Sequence, residues 1–186
     1  MSSRLLALLA VSAAVAMAVG GPARADPRCD VAIAIAKSVM QGKAGRAWVG
    51  SITPDEPTYA SDDAGLLQFE RRWTKDPPAP ALARGFLGAR SENAIKACPS
   101  FAQFLARQEI GYGDEAVKAV VDESRLAPYR AEILTVSAPV VSADGREALV
   151  QTSVVGGLLA GVGSVQHLRL MQGTWAVTDS INLWTT

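Results

Sequence analysis

The side chains best suited to acid–base chemistry lie near the carboxyl end, where the single histidine, His167, stands between Ser164 and Asp179. A hydrolytic triad needs an acid that orients the histidine while the histidine activates a hydroxyl group. A two-residue turn predicted at Gln172 and Gly173 pairs the flanking strands so that His167 and Asp179 point to opposite sheet faces. A bulge or a one-residue slip would bring them together. The pattern therefore predicts no catalytic residue. A small periplasmic enzyme that uses Asp179 or His167 as acid or base is the alternative.

The same register places Asp179 in an apolar series with Trp175 and Ile181, across from Gln166. A buried carboxylate needs hydrogen-bond donors, since without them its pKa shifts until it is neutral. Asp179, Gln166 and Trp175 are therefore a candidate ligand-binding spot between the sheet and the helices. The alternatives are a bulge that turns Asp179 to solvent and a local hydrogen bond to Ser180.

The chain has two cysteines, Cys29 and Cys98. In an exported protein such a pair indicates one disulfide, which here would close a loop of about 70 residues and contribute roughly 4 kcal/mol. Two separate buried thiols, a redox pair and a metal pair are the alternatives. One histidine and two cysteines are too few for structural zinc, which takes four ligands. We predict no metal and no cofactor.

Residues 1–25 have the features of a secretory signal peptide. Arg4 precedes a nearly unbroken apolar run over 5–19, and small residues at positions 23 and 25 suit cleavage between Ala25 and Asp26. The apolar run is shorter than the ~20 residues that a helix needs to cross a bilayer. We therefore expect a periplasmic or secreted protein, with residues 26–186 as one domain.

Composition narrows the classes of partner. The chain has 186 residues with 18 Lys and Arg and 18 Asp and Glu, so its formal charge is zero, and removal of Arg4 and Arg24 with the leader makes it −2. Without a basic cluster there is no electrostatic footprint for nucleic acid or an anionic membrane surface. The longest later apolar run, 154–163, has four glycines and is too short to span a membrane.

Hydrophobic periodicity predicts an α+β fold, with a helical part over 30–127 and a β-meander over 131–185. We expect helices packed on one face of a four-stranded antiparallel sheet. The predicted helices are 30–43, one from Asp62 or Asp63, 91–98, one with a capping box at Ser100 and Gln103, and one from Asp114. The predicted strands are 133–141, 148–155, 165–171 and 174–184, and the predicted loops include 48–59 and 156–163.

The glycine-rich segment 156–163 lacks the Lys-Ser/Thr pair of a phosphate-binding loop and precedes a strand instead of a helix. It is better interpreted as a flexible or tightly folded hairpin loop. Leu158 and Leu159 at its tip are candidate contact residues for another protein.

The tail carries a set of short motifs. They are Ser142-Ala143-Asp144-Gly145, Ala148-Leu149-Val150, the glycine-rich segment 156–163, Gly173-Thr174-Trp175-Ala176-Val177 and the closing Trp184. As a set they resemble a group of small exported bacterial proteins of unassigned function. The order of helices followed by a curved meander is also similar to the NTF2-like α+β architecture, in which the concave sheet face and the helices enclose a pocket. These resemblances imply an export route and a pocket, and they imply no activity.

The sequence as a whole therefore predicts an exported, non-catalytic binding or protein-interaction module. Its partner would be a protein or a small molecule of the cell envelope.

Overall fold

The computed structural model describes residues 26–43, 45–53, 59–89, 92–122 and 129–186. The predicted signal peptide with Ala25, and the start of the helix predicted at Ser91, lie outside these residues. The described helices are α1 (Pro27–Gln41), α2 (Asp63–Glu70), α3 (Pro80–Gly88), α4 (Ala94–Ala97), α5 (Pro99–Arg107) and α6 (Asp114–Asp122). The described strands are β1 (Ala47–Ser51), β2 (Gly111–Tyr112), β3 (Ala131–Val136), β4 (Val140–Val141), β5 (Glu147–Gly157), β6 (Ala160–Met171) and β7 (Thr174–Thr185).

The strands form one mostly antiparallel sheet in the order β2-β1-β3-β5-β6-β7, with β4 beside β5. Among the described strands, the β1–β2 and β1–β3 pairs are parallel and the other pairs are antiparallel. The predicted α+β class, with helices in the first half and an antiparallel sheet in the second, is confirmed. The predicted number of strands is wrong, because the described part of the chain forms seven strands where four were expected.

Two of the additional strands, β1 and β2, lie in the predicted helical part. Residues 48–51 of β1 fall in the predicted loop 48–59, yet β1 pairs along its whole length with β3. A five-residue strand that contains a glycine has little alternating pattern to reveal it. Gly50 is required by packing, since a Cβ there would lie 3.0 Å from both Ile95 Cδ1 and Tyr112 Cβ. The third, β4, is a two-residue piece of the strand predicted over 133–141.

Both faces of the sheet carry helices, whereas one covered face was expected. On the face that we call the first face, Leu134, Val150 and Leu168 pack in one core with residues of α1 and α5. On the opposite, second face, Leu149 and Val165 pack with α2 and α3, and the β1–β3 end of the sheet packs with α6. Strands β3 and β5 are buried on both faces, and for that reason their sequences lack strict apolar–polar alternation. Several of their polar side chains, such as those of Thr135 and Gln151, are buried too.

Helix α1 begins at a strong local signal. The Asp26 carboxylate accepts a hydrogen bond from the Arg28 N–H at 3.0 Å, and Pro27 occupies the first turn, where no N–H is needed. Val31, Ile35 and their alanine neighbours form its buried face. Each large apolar side chain buried in this way contributes about 1.5–3 kcal/mol.

The helices predicted from Asp62 or Asp63, near Ser100 and from Asp114 are present as α2, α5 and α6, and one helix, α3, was missed. Pro80 opens α3, so the proline-rich segment 77–80 separates two helices and does not simply end one. The capping box predicted at Ser100 and Gln103 is not formed, because α5 starts at Pro99 with Cys98 as a cap that makes no side-chain hydrogen bond. None of the described helices is long and apolar enough to cross a membrane.

The glycine-rich segment 156–163 forms the end of the β5–β6 hairpin, in which Gly157 pairs with Ala160, so that the predicted hairpin loop is reduced to the two-residue tip Leu158 and Leu159. The glycines are explained by side chains that lie against the backbone. A Cβ on Gly156 would lie 2.8 Å from the Glu132 carboxylate, and a Cβ on Gly161 would lie 2.9 Å from the Trp184 indole. Close packing, and not anion binding, therefore accounts for this composition.

Candidate functional site

The register of β6 and β7 decides which side chains share a face. The turn at Gln172 and Gly173, both with positive φ, pairs Met171 with Thr174 and Leu168 with Val177, as predicted. Beyond Val177 the register shifts by one residue, because Thr178 forms a bulge. Residues 179–182 therefore face the side opposite to the predicted one, and a second shift between the Ser164 and Gly163 pairs returns Trp184 to the predicted side.

The bulge corrects the prediction for His167 and Asp179, which are register partners on the second face. It also separates the predicted binding spot. Trp175 and Gln166 lie on the first face, whereas Asp179 lies on the second. Ser164 lies on the first face as well, where its hydroxyl group accepts a hydrogen bond from Gln166 Nε2 at 2.8 Å. No triad of Ser164, His167 and Asp179 is possible in this arrangement.

A large open groove lies on the first face between α1, the turn 142–146 and the paired ends of β6 and β7. Its volume is about 1450 Å³. Leu168, Leu170, Trp175 and Val177 form its floor. Leu170 and Val177 are exposed to 38% and 37%, so apolar surface is open to solvent at the bottom of the groove. Of the predicted ligand-binding residues, Trp175 lines the groove. Gln166 lies on the same face of β6 as Leu168, two residues before it in the chain.

The rim of the groove is charged, with both signs present. Its charged residues are Asp26, Arg28, Asp30, Lys37, Asp144 and Arg146. Several are engaged within the protein. Arg28 forms an ion pair with Asp26 at 2.6 Å, which lowers the pKa of the Asp26 carboxyl. The Lys37 ammonium group lies 5.6 Å from the centre of the Phe104 ring. The hydroxyl group of Ser142 donates to the Asp144 carboxylate and lowers its pKa. The rim therefore presents a balanced polar border and not a field of one sign.

On the second face, His167 belongs to a cluster of charged groups that sequence reasoning missed. Its Nδ1 lies 2.8 Å from the backbone carbonyl oxygen of Asp76, and because a carbonyl can only accept, Nδ1 carries the proton. Arg169 donates two hydrogen bonds to the Asp76 carboxylate, at 2.7 and 2.8 Å, and approaches Glu147 at 3.0 Å. The second ring nitrogen, Nε2, lies 3.4 Å from a Glu147 oxygen and has no hydrogen-bond partner among the described residues. We call His167, Asp76, Glu147, Arg169 and Asp179 the His167 cluster.

The carboxylates of the cluster are held by donors. Arg169 is the main reason that the pKa of Asp76 falls from 3.8 to about 2. Partial burial raises the pKa of Asp179, but the backbone N–H groups of Asp76, Lys75 and Ser180 outweigh it and lower the pKa below its usual value. Both groups therefore stay ionised at neutral pH.

The His167 cluster anchors the segment 74–79 to the sheet. Asp179 accepts from two backbone N–H groups of that segment, and Glu147 accepts from the Ala79 N–H at 3.3 Å. The imidazole is fully buried, with its ring centre 5.9 Å from that of Trp73. A group enclosed in this way positions a loop, whereas an acid or base needs contact with a substrate. The one available signal was Arg169, a cationic side chain that lies on the same strand face as His167 and needs an acidic partner where it is partly buried.

The remaining predicted site residues lie apart from the groove floor. Leu158 and Leu159 form the hairpin tip and are exposed to 63% and 86%. Cys29 and Cys98 are buried in the core of the first face. Among the described residues, no three histidine, cysteine or acidic side chains come together in a metal-binding arrangement.

No protein family, characterised protein or solved structure matches this chain. The resemblances to small exported bacterial proteins and to NTF2-like domains therefore stay predictions.

Proposed function

We propose that the protein is an exported binding module whose groove takes an amphipathic ligand. The observation that carries this proposal is the apolar floor of a concavity of about 1450 Å³, in which the side chains of Leu170, Trp175 and Val177 are partly exposed to solvent. Concave, mostly apolar surfaces with a few polar groups at their border are typical ligand sites.

The chemistry of the groove indicates the class of ligand. The floor offers an indole ring and aliphatic side chains, which gain about 25 cal/mol for each Å² of apolar surface that a ligand covers. At the rim, Asp26 and Arg28 neutralise each other, and both signs occur among the other charged residues. A ligand with an apolar body and an uncharged or zwitterionic polar end matches this distribution better than a strongly charged one.

Fluorescence titration with the neutral apolar dye N-phenyl-1-naphthylamine tests the proposal, with competition by uncharged and anionic detergents below their micelle concentrations. Leu170→Asp and Val177→Asp should each weaken dye binding about tenfold, because a desolvated carboxylate opposes binding by at least ~1.4 kcal/mol. Leu67→Asp is the matched control. Leu67 is exposed to a similar degree, 48%, but lies on α2 at the second face.

Equal loss of affinity in Leu67→Asp and the groove variants would contradict the proposal. Absence of saturable dye binding by the unmodified protein would also contradict it. Stronger competition by anionic than by uncharged detergents would overturn the ligand class while leaving the groove as the site.

The hairpin tip is a second candidate surface, for a protein partner. Leu158 and Leu159 are the two most exposed large apolar residues among the described ones, and they lie at the end of the β5–β6 hairpin away from the groove. A photo-crosslinking amino acid at position 159 should capture a partner in the native envelope, and the same amino acid at Leu67 should not. Identical labelling at both positions would exclude the tip as a specific surface. Because the two surfaces are separate, Leu159→Ser should not change dye binding in the groove.

A further inference from the structure

The two cysteines meet at the junction of three helices. Cys29 lies in the first turn of α1, and Cys98 lies between α4 and α5, where it caps α5. Both side chains are buried in the same core as free thiols, and the neighbouring Cys29 thiol helps to raise the pKa of the Cys98 thiol. Residues 69 positions apart in the chain thus bring their side chains into one buried core.

We propose that Cys29 and Cys98 are oxidised to one intrachain disulfide, which joins α1 to α5 and fixes the α1 wall of the groove. The first part stands on the burial of both side chains where α1, α4 and α5 meet, and the second part rests on the proposed function. Helix α1 supplies one side of the groove through Asp30, Ile33 and Lys37. A covalent link within the first turn of α1 holds that wall at a set distance from the core.

The oxidation is a thiol–disulfide exchange with a disulfide carrier, such as an oxidoreductase of the envelope or oxidised glutathione. One cysteine thiolate attacks the carrier, and the carrier's S–S bond breaks and releases one carrier thiol. The second cysteine then attacks the mixed disulfide, the bond between the Cys29 and Cys98 sulfurs forms, and a second carrier thiol leaves. The protein loses two hydrogens, and the carrier is reduced to two thiols.

The surroundings of the pair indicate a structural disulfide and not a redox-active one. Reactive cysteines have a lowered pKa and access to solvent. Here burial, together with the neighbouring Cys29 thiol, raises the pKa of the Cys98 thiol to about 12. The exchange must therefore precede the docking of α1 on the core, since the carrier cannot reach the buried sulfurs afterwards.

Mass spectrometry tests the first part without any ligand. The full chain is refolded with oxidised glutathione, unfolded in denaturant, treated with iodoacetamide and digested. We expect the Cys29 and Cys98 peptides to be linked, two hydrogens lighter than their sum, and neither cysteine to be alkylated. Two alkylated cysteines would overturn the proposal. In protein refolded under reducing conditions and kept folded, both thiols should react at least tenfold more slowly than in denaturant, and fast alkylation would contradict the closed junction.

The Cys29→Ser variant separates the effect of the cross-link from that of the buried thiol, because its melting temperature is compared with that of the unmodified chain in two buffers. In non-reducing buffer it should melt roughly 10 °C below the oxidised protein, because the cross-link is lost. In reducing buffer the variant and the unmodified chain should melt within about 2 °C of each other. A large difference in reducing buffer would mean that packing of the thiol, and not the cross-link, is responsible. If Cys29→Ser fails to fold, the same comparison is made with the unmodified chain in the two buffers.

Dye titration of the oxidised and reduced protein tests the second part. Affinity for N-phenyl-1-naphthylamine should be at least threefold higher in the oxidised protein. Equal affinities would overturn the fixed wall while leaving both the disulfide and the groove in place. If neither form binds the dye, the proposed function and the fixed wall fail together, and the disulfide is still decided by mass spectrometry.

Discussion

Replacement of Gly163 by alanine tests the explanation given for the glycine-rich hairpin. The Trp184 indole lies over Gly163, its register partner on β7. A Cβ on Gly163 would lie 2.8 Å from Trp184 Cδ1 and closer still to Nε1 and Cε2. Carbon atoms in contact are normally 3.5–4.0 Å apart, so the indole must move by about 1 Å or more.

The structure allows the cost of this substitution to be estimated. Overpacking in a close-packed site costs typically 1–3 kcal/mol, and displacement of Trp184 also removes its contact with Gly161. We expect Gly163→Ala to lower the free energy of unfolding by about 3 kcal/mol. In a Trp184→Ala background the clash is gone, and alanine should then be neutral or stabilise the strand by about 0.5–1 kcal/mol, because glycine is unfavourable within a strand.

Urea unfolding followed by far-UV circular dichroism measures all four members of this double-mutant cycle. The expected coupling between positions 163 and 184 is about 3 kcal/mol, which is large for two neighbouring residues. Gly88→Ala is the control, since nothing lies within 4 Å of the position of its Cβ. A loss below about 0.5 kcal/mol for Gly163→Ala, or additive effects in the cycle, would refute the explanation of close packing.

Three further predictions concern the fold. The folded-state pKa of Asp76, about 2 against an ordinary 3.8, means that its ion pair stabilises the protein above about pH 4 and that this contribution is lost as the pH falls towards 2. Asp76→Asn should therefore lower the free energy of unfolding by about 1–2 kcal/mol at pH 7, allowing for the partial exposure of the carboxylate. In urea titrations the variant should also lose less stability than the unmodified protein between pH 4 and pH 2. An unchanged dependence of stability on pH in this range would contradict a stabilising ion pair at Asp76. Asn93 is buried, caps α4 and donates a hydrogen bond to the Ser51 carbonyl oxygen. Asn93→Ala should therefore lower the free energy of unfolding by about 2–3 kcal/mol in the same assay. A change near zero would show that other groups replace these hydrogen bonds. Gln172 has a φ of 50° in a two-residue hairpin turn, so Gln172→Asn should raise stability by about 0.5 kcal/mol, and a lower melting temperature would argue against strain at this position.

The longer elements were predictable because their signals are local. The apolar spacing of α1, the acidic starts of α2 and α6, and the Gln172-Gly173 turn each depend on a few neighbouring residues. The short strands β1 and β2 were not predictable in this way, since they are stabilised by parallel pairing across more than 60 residues of chain. Helix α3 was missed for a different reason. A proline in the first turn of a helix looks the same in the sequence as a proline that ends one.

The candidate site was predicted only in part, because its members come from distant segments. The groove requires α1 and the end of the β6–β7 hairpin, which are more than 120 residues apart, and Trp175 was the predicted ligand-binding residue that lines it. The His167 cluster joins Asp76 to His167 and Arg169. Nothing in the spacing of these residues shows that the segment 74–79 lies over the second face, so their types alone could not place them together.

One inserted residue, Thr178, separates the groove from the anchored loop. In an unbroken register, Asp179 would stand on the groove face beside Gln166, and Ile181 would lie on the first face as well. With the bulge, Ile181 is buried with Val165 in the core that α2 and α3 cover, and Asp179 accepts three backbone N–H bonds. Burial of the isoleucine contributes about 1.5–3 kcal/mol, and each hydrogen bond to the charged carboxylate about 1.5–3 kcal/mol more. These gains exceed the loss of one ladder position at the bulge. The bulge thus moves the Asp179 carboxylate, which would otherwise interrupt the groove floor, to the second face. An uncharged edge of the groove is formed by the four residues between the turn and the bulge, Thr174 to Val177.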